Sequence, residues 1–125
     1  DIKLNCMIDG AKLSFMETAD IYVLFGNLMD NAMEAVEKLS DVDKRIVSVN
    51  VYVEQNKLHI VMSNYYVGEI EIRPDGMPQT PKADKDFHGI GMRSVSLIVE
   101  RYGGNIDFIV DDGIFTVEIS FATER

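Results

Sequence analysis

The chain has 125 residues, 46% of them hydrophobic, and a formal net charge of −9; this is the make-up of one globular domain and excludes a disordered or fibrous protein. Clustered Lys and Arg hold a nucleic-acid backbone, so the acidic balance excludes a nucleic-acid binder, and any bound phosphate must be held locally by helix-start N–H groups, a metal ion or a few placed lysines. No apolar stretch approaches the roughly 20 residues of a spanning helix and no basic and apolar leader opens the sequence, so the segment is expected to be soluble, without direct membrane contact.

Residues 1–8 alternate loosely and predict a strand, with Asp9-Gly10 as a turn. Cys6 is the single cysteine and lies in an apolar run with Leu4, Met7 and Ile8. It cannot form an internal disulfide and is expected to pack as a small hydrophobe in the core, which fits a reducing cytoplasm. A long helix follows. Thr18 and Asp20 are both capping residue types, and Ile21, Leu24, Phe25, Leu28, Ala32, Ala35, Val36 and Leu39 make one core-facing stripe out to about Leu39. From Arg45 the period changes to two: Val47, Val49, Val51 and Val53 alternate with Ser48, Asn50, Tyr52 and Glu54, predicting a strand with one buried face. Gln55-Asn56-Lys57 turns the chain into an antiparallel partner strand over 58–63.

Over 64–88, Gly68, Pro74, Gly76, Pro78 and Pro81 interrupt any regular pattern. The segment is too long for a simple connection, and such loops in compact domains are functional or mobile. Gly89-Ile90-Gly91 is expected to open a second helix, about 92–102, carrying Val95, Ile98 and Val99 at helical spacing and stopped by Gly103-Gly104. The chain ends in a hairpin: Ile106, Phe108 and Val110 alternate, Asp112-Gly113 turns, and Phe115, Val117, Ile119 and Phe121 return. Helices and antiparallel strands in this order must share one core, which predicts an α+β, two-layer sandwich: a mixed, mainly antiparallel sheet with helices packed on one face.

Two places carry chemistry. Asn27, Asn31 and Glu34 recur at i, i+4, i+7 and line one stripe of the long helix, offset from the apolar one. Asn favours caps over helix interiors, so two of them one turn apart suggest a purpose that propensity does not supply; a solvated polar face is the blander alternative. The junction Phe87-His88-Gly89-Ile90-Gly91-Met92 places two glycines where backbone can approach a ligand at a helix start, although a tight turn into a helix accounts for them equally well. His59, mid-strand, has no Cys, Asp or Glu at ligand spacing, and the seven methionines fall on core positions. Neither histidine sits in a nucleophile motif.

Together and in this order, these elements resemble the ATP-binding family that unites DNA gyrase, the ninety-kilodalton heat-shock chaperone, histidine kinases and MutL, with its Bergerat fold. Asn27-Leu28-x-x-Asn31-Ala32 resembles the family's N box, Gly89-x-Gly91 resembles the glycine box after its ATP lid, and Arg101-Tyr102-Gly103-Gly104 before a terminal hairpin is similar to the end of histidine kinase catalytic domains. Within the family, 30–35 and Thr80-Pro81-Lys82 leading into His88-Gly89-Ile90-Gly91 look most like the AgrC-like quorum-sensing kinases.

The resemblance implies one catalytic ATP-binding domain over 1–125 with an ATP lid at about 69–88. It implies ATP and Mg²⁺ as cofactors, with Asn31 as the side-chain metal ligand and Asn27 facing the phosphates. Lys82 would reach the terminal phosphates from the lid, with Lys85 as its rival; His88 would help order the lid, and the backbone from Gly89 through Ile90 and Gly91 to Met92 would close over the phosphates. Relatives with a general-base glutamate hold it near Asn27, so an asparagine suits phosphoryl transfer to a protein better than activation of water. One position departs from the pattern: most relatives carry Asp-x-Gly-x-Gly where this sequence has Asn64-Tyr65-Tyr66-Val67-Gly68. The carbonyl oxygen of Asn64 can accept the adenine amino group in the aspartate's place, and Tyr65 and Tyr66 add aromatic surface beside it.

The activity so implied is transfer of the γ-phosphate to a histidine on a separate dimerisation helix of a two-component sensor kinase. The partners are that phosphoacceptor hairpin and a response regulator, possibly of the LytTR type. The chain would be the cytoplasmic domain of a membrane-anchored kinase, its acceptor lying outside this sequence. Two alternatives stand beside it: a non-catalytic nucleotide-binding regulatory module, and a serine kinase of the anti-sigma-factor type.

Overall fold

The computed structural model describes residues 1–74, 76–79 and 85–123. Its elements in chain order are β1 (Lys3–Ile8), α1 (Thr18–Glu37), β2 (Ile46–Glu54), β3 (Lys57–Tyr65), β4 (Glu71–Ile72), β5 (Pro78–Gln79), α2 (Lys85–Arg101), β6 (Asn105–Asp111) and β7 (Ile114–Ala122), with 3₁₀ turns at Gly10–Leu13 and Val42–Lys44. The main sheet runs β1-β2-β3-β7-β6. β1 lies parallel to β2 and the other pairs are antiparallel. A parallel neighbour needs a crossover, which α1 supplies. The two tight hairpins follow from residues that tolerate left-handed backbone: Gln55 and Asn56 at φ 54 and 62 join β2 to β3, and Asp112 and Gly113 at φ 50 and 78 join β6 to β7.

The period-two pattern decides which face is covered. Val47, Val49 and Val51 of β2, Leu58, Ile60 and Met62 of β3, and Phe115, Val117, Ile119 and Phe121 of β7 all turn into the core. They meet Leu24, Leu28, Ala32 and Val36 of α1 and Met92, Val95, Ile98 and Val99 of α2. This is the two-layer arrangement expected, with both helices on one face of a mixed sheet. Truncating one of these fully buried side chains, such as Leu28→Ala, costs about 2–5 kcal/mol through lost transfer energy plus a cavity.

The end of α2 is built by glycine. Gly103 takes φ +70, its N–H bonds to Glu100 O at 3.0 Å and that of Gly104 to Val99 O at 2.9 Å, the bonding of a Schellman motif. Gly104 is required for a second reason: a Cβ there would stand 2.6 Å from the Phe121 ring and 2.7 Å from Ser120 O.

Several expectations are corrected. Cys6 is exposed, because α1 packs over β2 and β3 and leaves the edge strand β1 uncovered, with all six of its residues exposed. Val53 likewise lies outside the core, at the far end of β2. Neither Thr18 nor Asp20 caps α1: the N-cap position is Glu17, which makes no side-chain cap bond, and Asp20 is buried within the first turn. The helix stops at Glu37 rather than Leu39, whose carbonyl instead receives the Arg45 guanidinium from Nε at 3.0 Å and Nη2 at 2.7 Å. α2 starts at Lys85, so Gly89-Ile90-Gly91 fall inside the helix rather than opening it. The interrupted segment holds regular structure: β4 and β5 pair antiparallel around a turn in which Gly76 (φ +85) donates to Arg73 O and Arg73 donates to Met77 O, both at 2.8 Å. Proline did not prevent this because Pro78 sits in a two-residue ribbon with a free edge.

Candidate functional site

The site is built from the flank of α1 that its apolar stripe leaves free. Asn27, Asn31 and Glu34 share that flank and are each half-buried. α1 packs against α2. Asn27 Nδ2 donates to the Val23 carbonyl one turn back, at 2.9 Å, which ties the amide to its own helix and leaves a second N–H and Oδ1 available.

The second wall is the end of β3. Asn64 sits on the covered face of the strand, opposite Val47 and Phe115, and is 5% exposed. Val47 begins β2 just after the Arg45–Leu39 clasp, so Asn64 lies at the end of the sheet where α1 finishes. Its Nδ2 donates to Tyr65 O at 2.9 Å, which fixes the amide orientation, and Oδ1 has no partner among the described residues. A buried acceptor without a donor costs about 1–3 kcal/mol, so this atom is suited to a ligand's N–H. Around it, Tyr65 lies under the Lys44 ammonium, 5.4 Å from the ring centroid, and Tyr66 N–H bonds to Gly113 O at 3.1 Å, tying the strand exit to the β6–β7 turn.

A clasp 81 residues apart in sequence holds the two helices in register: Arg101 Nη1 donates to Asp20 Oδ1 at 2.8 Å. Tyr102 donates its hydroxyl to Asp20 Oδ2 and accepts the Glu17 N–H at 3.0 Å. The Tyr102 hydrogen bond, helped by Arg101 and opposed by burial, holds the Asp20 carboxyl below its ordinary range. The same carboxylate pushes the Tyr102 hydroxyl up. Sequence reading missed this clasp. Asp20 looked like a cap, and nothing local pairs it with residues so distant.

The β4–β5 ribbon reaches the other helix. Met77 packs against the core, and its Sδ accepts the Ser96 hydroxyl of α2 at 3.4 Å.

Of the residues expected to bind, Asn27 and Asn31 share one flank of α1, and Asn64 lies at the end of β3 on the face that α1 covers. Lys82 lies outside the described residues, as do the side chains of Lys85, His88 and Ile90 and the side-chain surroundings of Gly89 and Gly91, although the backbone of 85–91 is helical. Met92 has its side chain in the core, so any contact it makes with a ligand is through backbone. His59 stacks on Tyr52 across β2 and β3, ring centroids 5.0 Å apart. Among the described residues no three His, Cys, Asp or Glu side chains form a ready metal cage. A single amide oxygen such as that of Asn31 suits Mg²⁺ held mainly by phosphate and water. An open apolar groove of about 430 Å³, lined by Ile8, Ile21, Tyr22, Phe25 and Met29, lies on the opposite flank of α1.

A family model described as the GHKL domain matches residues 16–122. The chain belongs to the GHKL domain family. Known structures agree in fold. The GHKL domain here superposes on the histidine kinase domain of a blue-light-activated histidine kinase from Erythrobacter litoralis with TM-score 0.65 and 19% identity, covering 98% of this chain and 52% of that one. It is similar to the Acinetobacter baumannii histidine kinase AdeS at TM-score 0.60 and 13% identity, over 98% of this chain and 54% of that one. A third is the mycobacterial sensor histidine kinase MprB, at 0.61 and 16%, over 98% and 80%. This GHKL domain therefore spans about half the length of the first two, and it has the fold of histidine kinase catalytic domains. No curated protein matches the sequence closely enough to count as a relative. No described helix is long and apolar enough to cross a membrane.

Proposed function

We propose that this GHKL domain binds Mg-ATP and presents the γ-phosphate to a histidine on a separate dimerisation hairpin of a two-component sensor kinase. The observation that carries the reading is a buried Asn64 Oδ1 with no donor among the described residues, on the sheet face over which α1 packs with its Asn27–Asn31 flank. The first is suited to an exocyclic amine of the base, the second to phosphates and a hard cation.

ATP supplies the phosphoryl group and Mg²⁺ offsets its charge. The chain's own part is positioning: Asn64 Oδ1 accepts from the adenine amino group, Asn27 and Asn31 orient the phosphate end, and Lys82, with Lys85, supplies positive charge from the lid proposed at 69–88. The proposed backbone contacts run from His88 through Gly89, Ile90 and Gly91 to Met92. No carboxylate stands at Asn27 to activate water, which favours transfer to a protein side chain over hydrolysis. The partners proposed are the kinase's own phosphoacceptor helices and a response regulator, and the setting is the cytoplasmic side of a membrane-anchored kinase of the AgrC-like branch.

The test has two arms. Calorimetric titration of the chain with ATP, ADP and GTP, with and without Mg²⁺, is expected to show Mg-dependent adenine nucleotide binding. Incubation with labelled ATP is expected to leave this chain unlabelled and to give acid-labile label on the phosphoacceptor hairpin supplied in trans. Acid-labile label on this chain alone would contradict the reading, and acid-stable label on a serine would favour the anti-sigma-factor type of kinase. The asparagine at position 64 is what favours a second reading, a regulatory module that binds nucleotide without transfer; binding with no label on any hairpin would support it.

A further inference from the structure

The two edges of the main sheet differ. At one, β4 contacts β6, and the exposed carboxylates of Asp107 and Asp111 stand along β6, features that discourage further strand pairing. At the other, β1 pairs with β2 over six consecutive residues without a bulge, and all six are exposed. Lys3 N–H donates to Arg45 O at 2.8 Å, which sets the parity of this ladder: Lys3, Asn5 and Met7 turn their backbone groups to β2, and Leu4, Cys6 and Ile8 turn theirs to the open side. The side chains of Leu4, Cys6 and Ile8 share the helix-side face with Val47, Val49 and Val51 yet stay uncovered, Leu4 49% and Ile8 47% exposed. Ile8 also lines the apolar groove beside α1.

Outward backbone groups on alternate residues are satisfied by a strand whose own outward residues stand opposite them. A second copy of β1 running antiparallel meets that condition with Leu4 opposite Ile8 and Cys6 opposite Cys6, about a two-fold axis. The same register sets Lys3 of each copy against Asp9 of the other. Asp9 is still extended, at φ −97 and ψ 92, both residues are exposed, and Lys3 has no salt bridge among the described residues. Sliding one copy by two residues keeps the parity but sets Asp9 against Asp1 in one direction; in the other it moves Lys3 and Leu4 past the strand, opposite the 3₁₀ turn that starts at Gly10. Charge and overlap therefore select the first register.

We propose that β1 is a self-association edge: a second copy of this chain pairs its β1 antiparallel to the first, with Leu4 against Ile8, Cys6 against Cys6 and Lys3 against Asp9, joining the two main sheets into one. The contact uses the same patch on both copies, so it closes at two. Leu4 of the second copy lands beside Ile8 at the margin of the apolar groove, which adds burial to the backbone bonds. The edge is two strands away from Asn64 on β3, and the inference does not rest on the nucleotide reading.

The experiment is sedimentation velocity of the chain up to about 1 mM, with reductant to prevent a Cys6 disulfide and with salt to screen the net charge of −9. One strand pair buries less than the roughly 1,200 Å² of a standard interface, so a weak dimer with Kd of about 10–300 μM is expected. Cys6→Pro deletes the central outward N–H and none of the bonds to β2, and is expected to stay monomeric throughout. Lys3→Asp and Asp9→Lys each set like charges opposite one another twice and are expected to weaken association about tenfold. Mixed in equal amounts, these two variants regain complementary pairs and are expected to form a heterodimer about as stable as the original. Circular dichroism melting confirms that each variant is folded. An unaltered chain that is monomeric at every concentration, or a dimer that persists in folded Cys6→Pro, would overturn the inference. So would a mixture that associates no more than its two components, because the register is then wrong.

Discussion

Tyr102 donates its hydroxyl to Asp20 Oδ2 at 2.5 Å, joining the residue that follows α2 to the first turn of α1. With Arg101 on the other carboxylate oxygen, it sets the relation between the helix that carries Asn31 and the helix whose first residues belong to the proposed lid. Asp20 has its folded pKa depressed, so its contribution to stability is present above the unfolded carboxylate pKa and is lost as pH falls through the folded value. Tyr102 has its folded pKa raised, so its contribution is present below the unfolded phenol pKa and is lost as pH rises through the folded value. Stability from this clasp is thus expected to form a plateau with an acid and an alkaline limb. Urea unfolding across pH should show Tyr102→Phe lowering the plateau, removing the phenol's alkaline limb and moving the acid limb upward. An unchanged profile would mean that the Tyr102 hydrogen bond contributes nothing to stability.

Asn64→Leu fills the same space without an acceptor and is expected to weaken ATP binding about tenfold, the worth of one buried hydrogen bond. Asn64→Asp restores two acceptors and is expected to keep adenine binding and its preference over GTP. Calorimetry with both nucleotides reads the ratio; a Leu variant as selective as the unaltered chain would remove Asn64 from base recognition.

Asn31→Ala is expected to abolish the Mg²⁺-dependent part of nucleotide affinity while leaving the melting temperature nearly unchanged, because the side chain is only half-buried on a helix flank. Equal Mg-ATP affinity in the variant would end its assignment as a metal ligand.

Gly104→Ala places a methyl against the Phe121 ring at 2.6 Å and the Ser120 carbonyl at 2.7 Å. The ring can turn but the backbone oxygen cannot, so a destabilisation of about 1–3 kcal/mol is expected by denaturant unfolding. A neutral result would show that the β7 end yields more than close packing allows.

Hydrogen exchange should divide the segment proposed as a lid. The amides of Arg73 and Gly76 are bonded across the β4–β5 turn, and Met77 holds the ribbon to Ser96, so these amides are expected to be protected without nucleotide. Added protection with Mg-ATP is expected over 80–92. Fast exchange at Arg73 and Gly76 in the free chain would show that the ribbon forms only with ligand.

The sequence by itself determined the elements whose signal lies within a few residues. The stripe of Leu24, Leu28, Ala32 and Val36, the alternation of Val47, Val49 and Val51, the Asp112-Gly113 turn and the Gly103-Gly104 stop each state a backbone conformation and a buried face locally. The two-layer architecture follows from their order, and the Asn27–Asn31 spacing is likewise a property of one helix. Tertiary structure decided what depends on which element covers which. Cys6 has the local pattern of a core residue and is exposed because no helix lies over β1. Asp20 reads as a cap and is instead a buried partner of Arg101 and Tyr102, 81 and 82 residues away. The glycines at 89 and 91 read as a helix entrance, yet α2 begins at Lys85, since glycine permits a turn without requiring one. Local propensity sets which conformations a segment can take, whereas burial and long-range hydrogen bonds, which exist only once the layers meet, select among them.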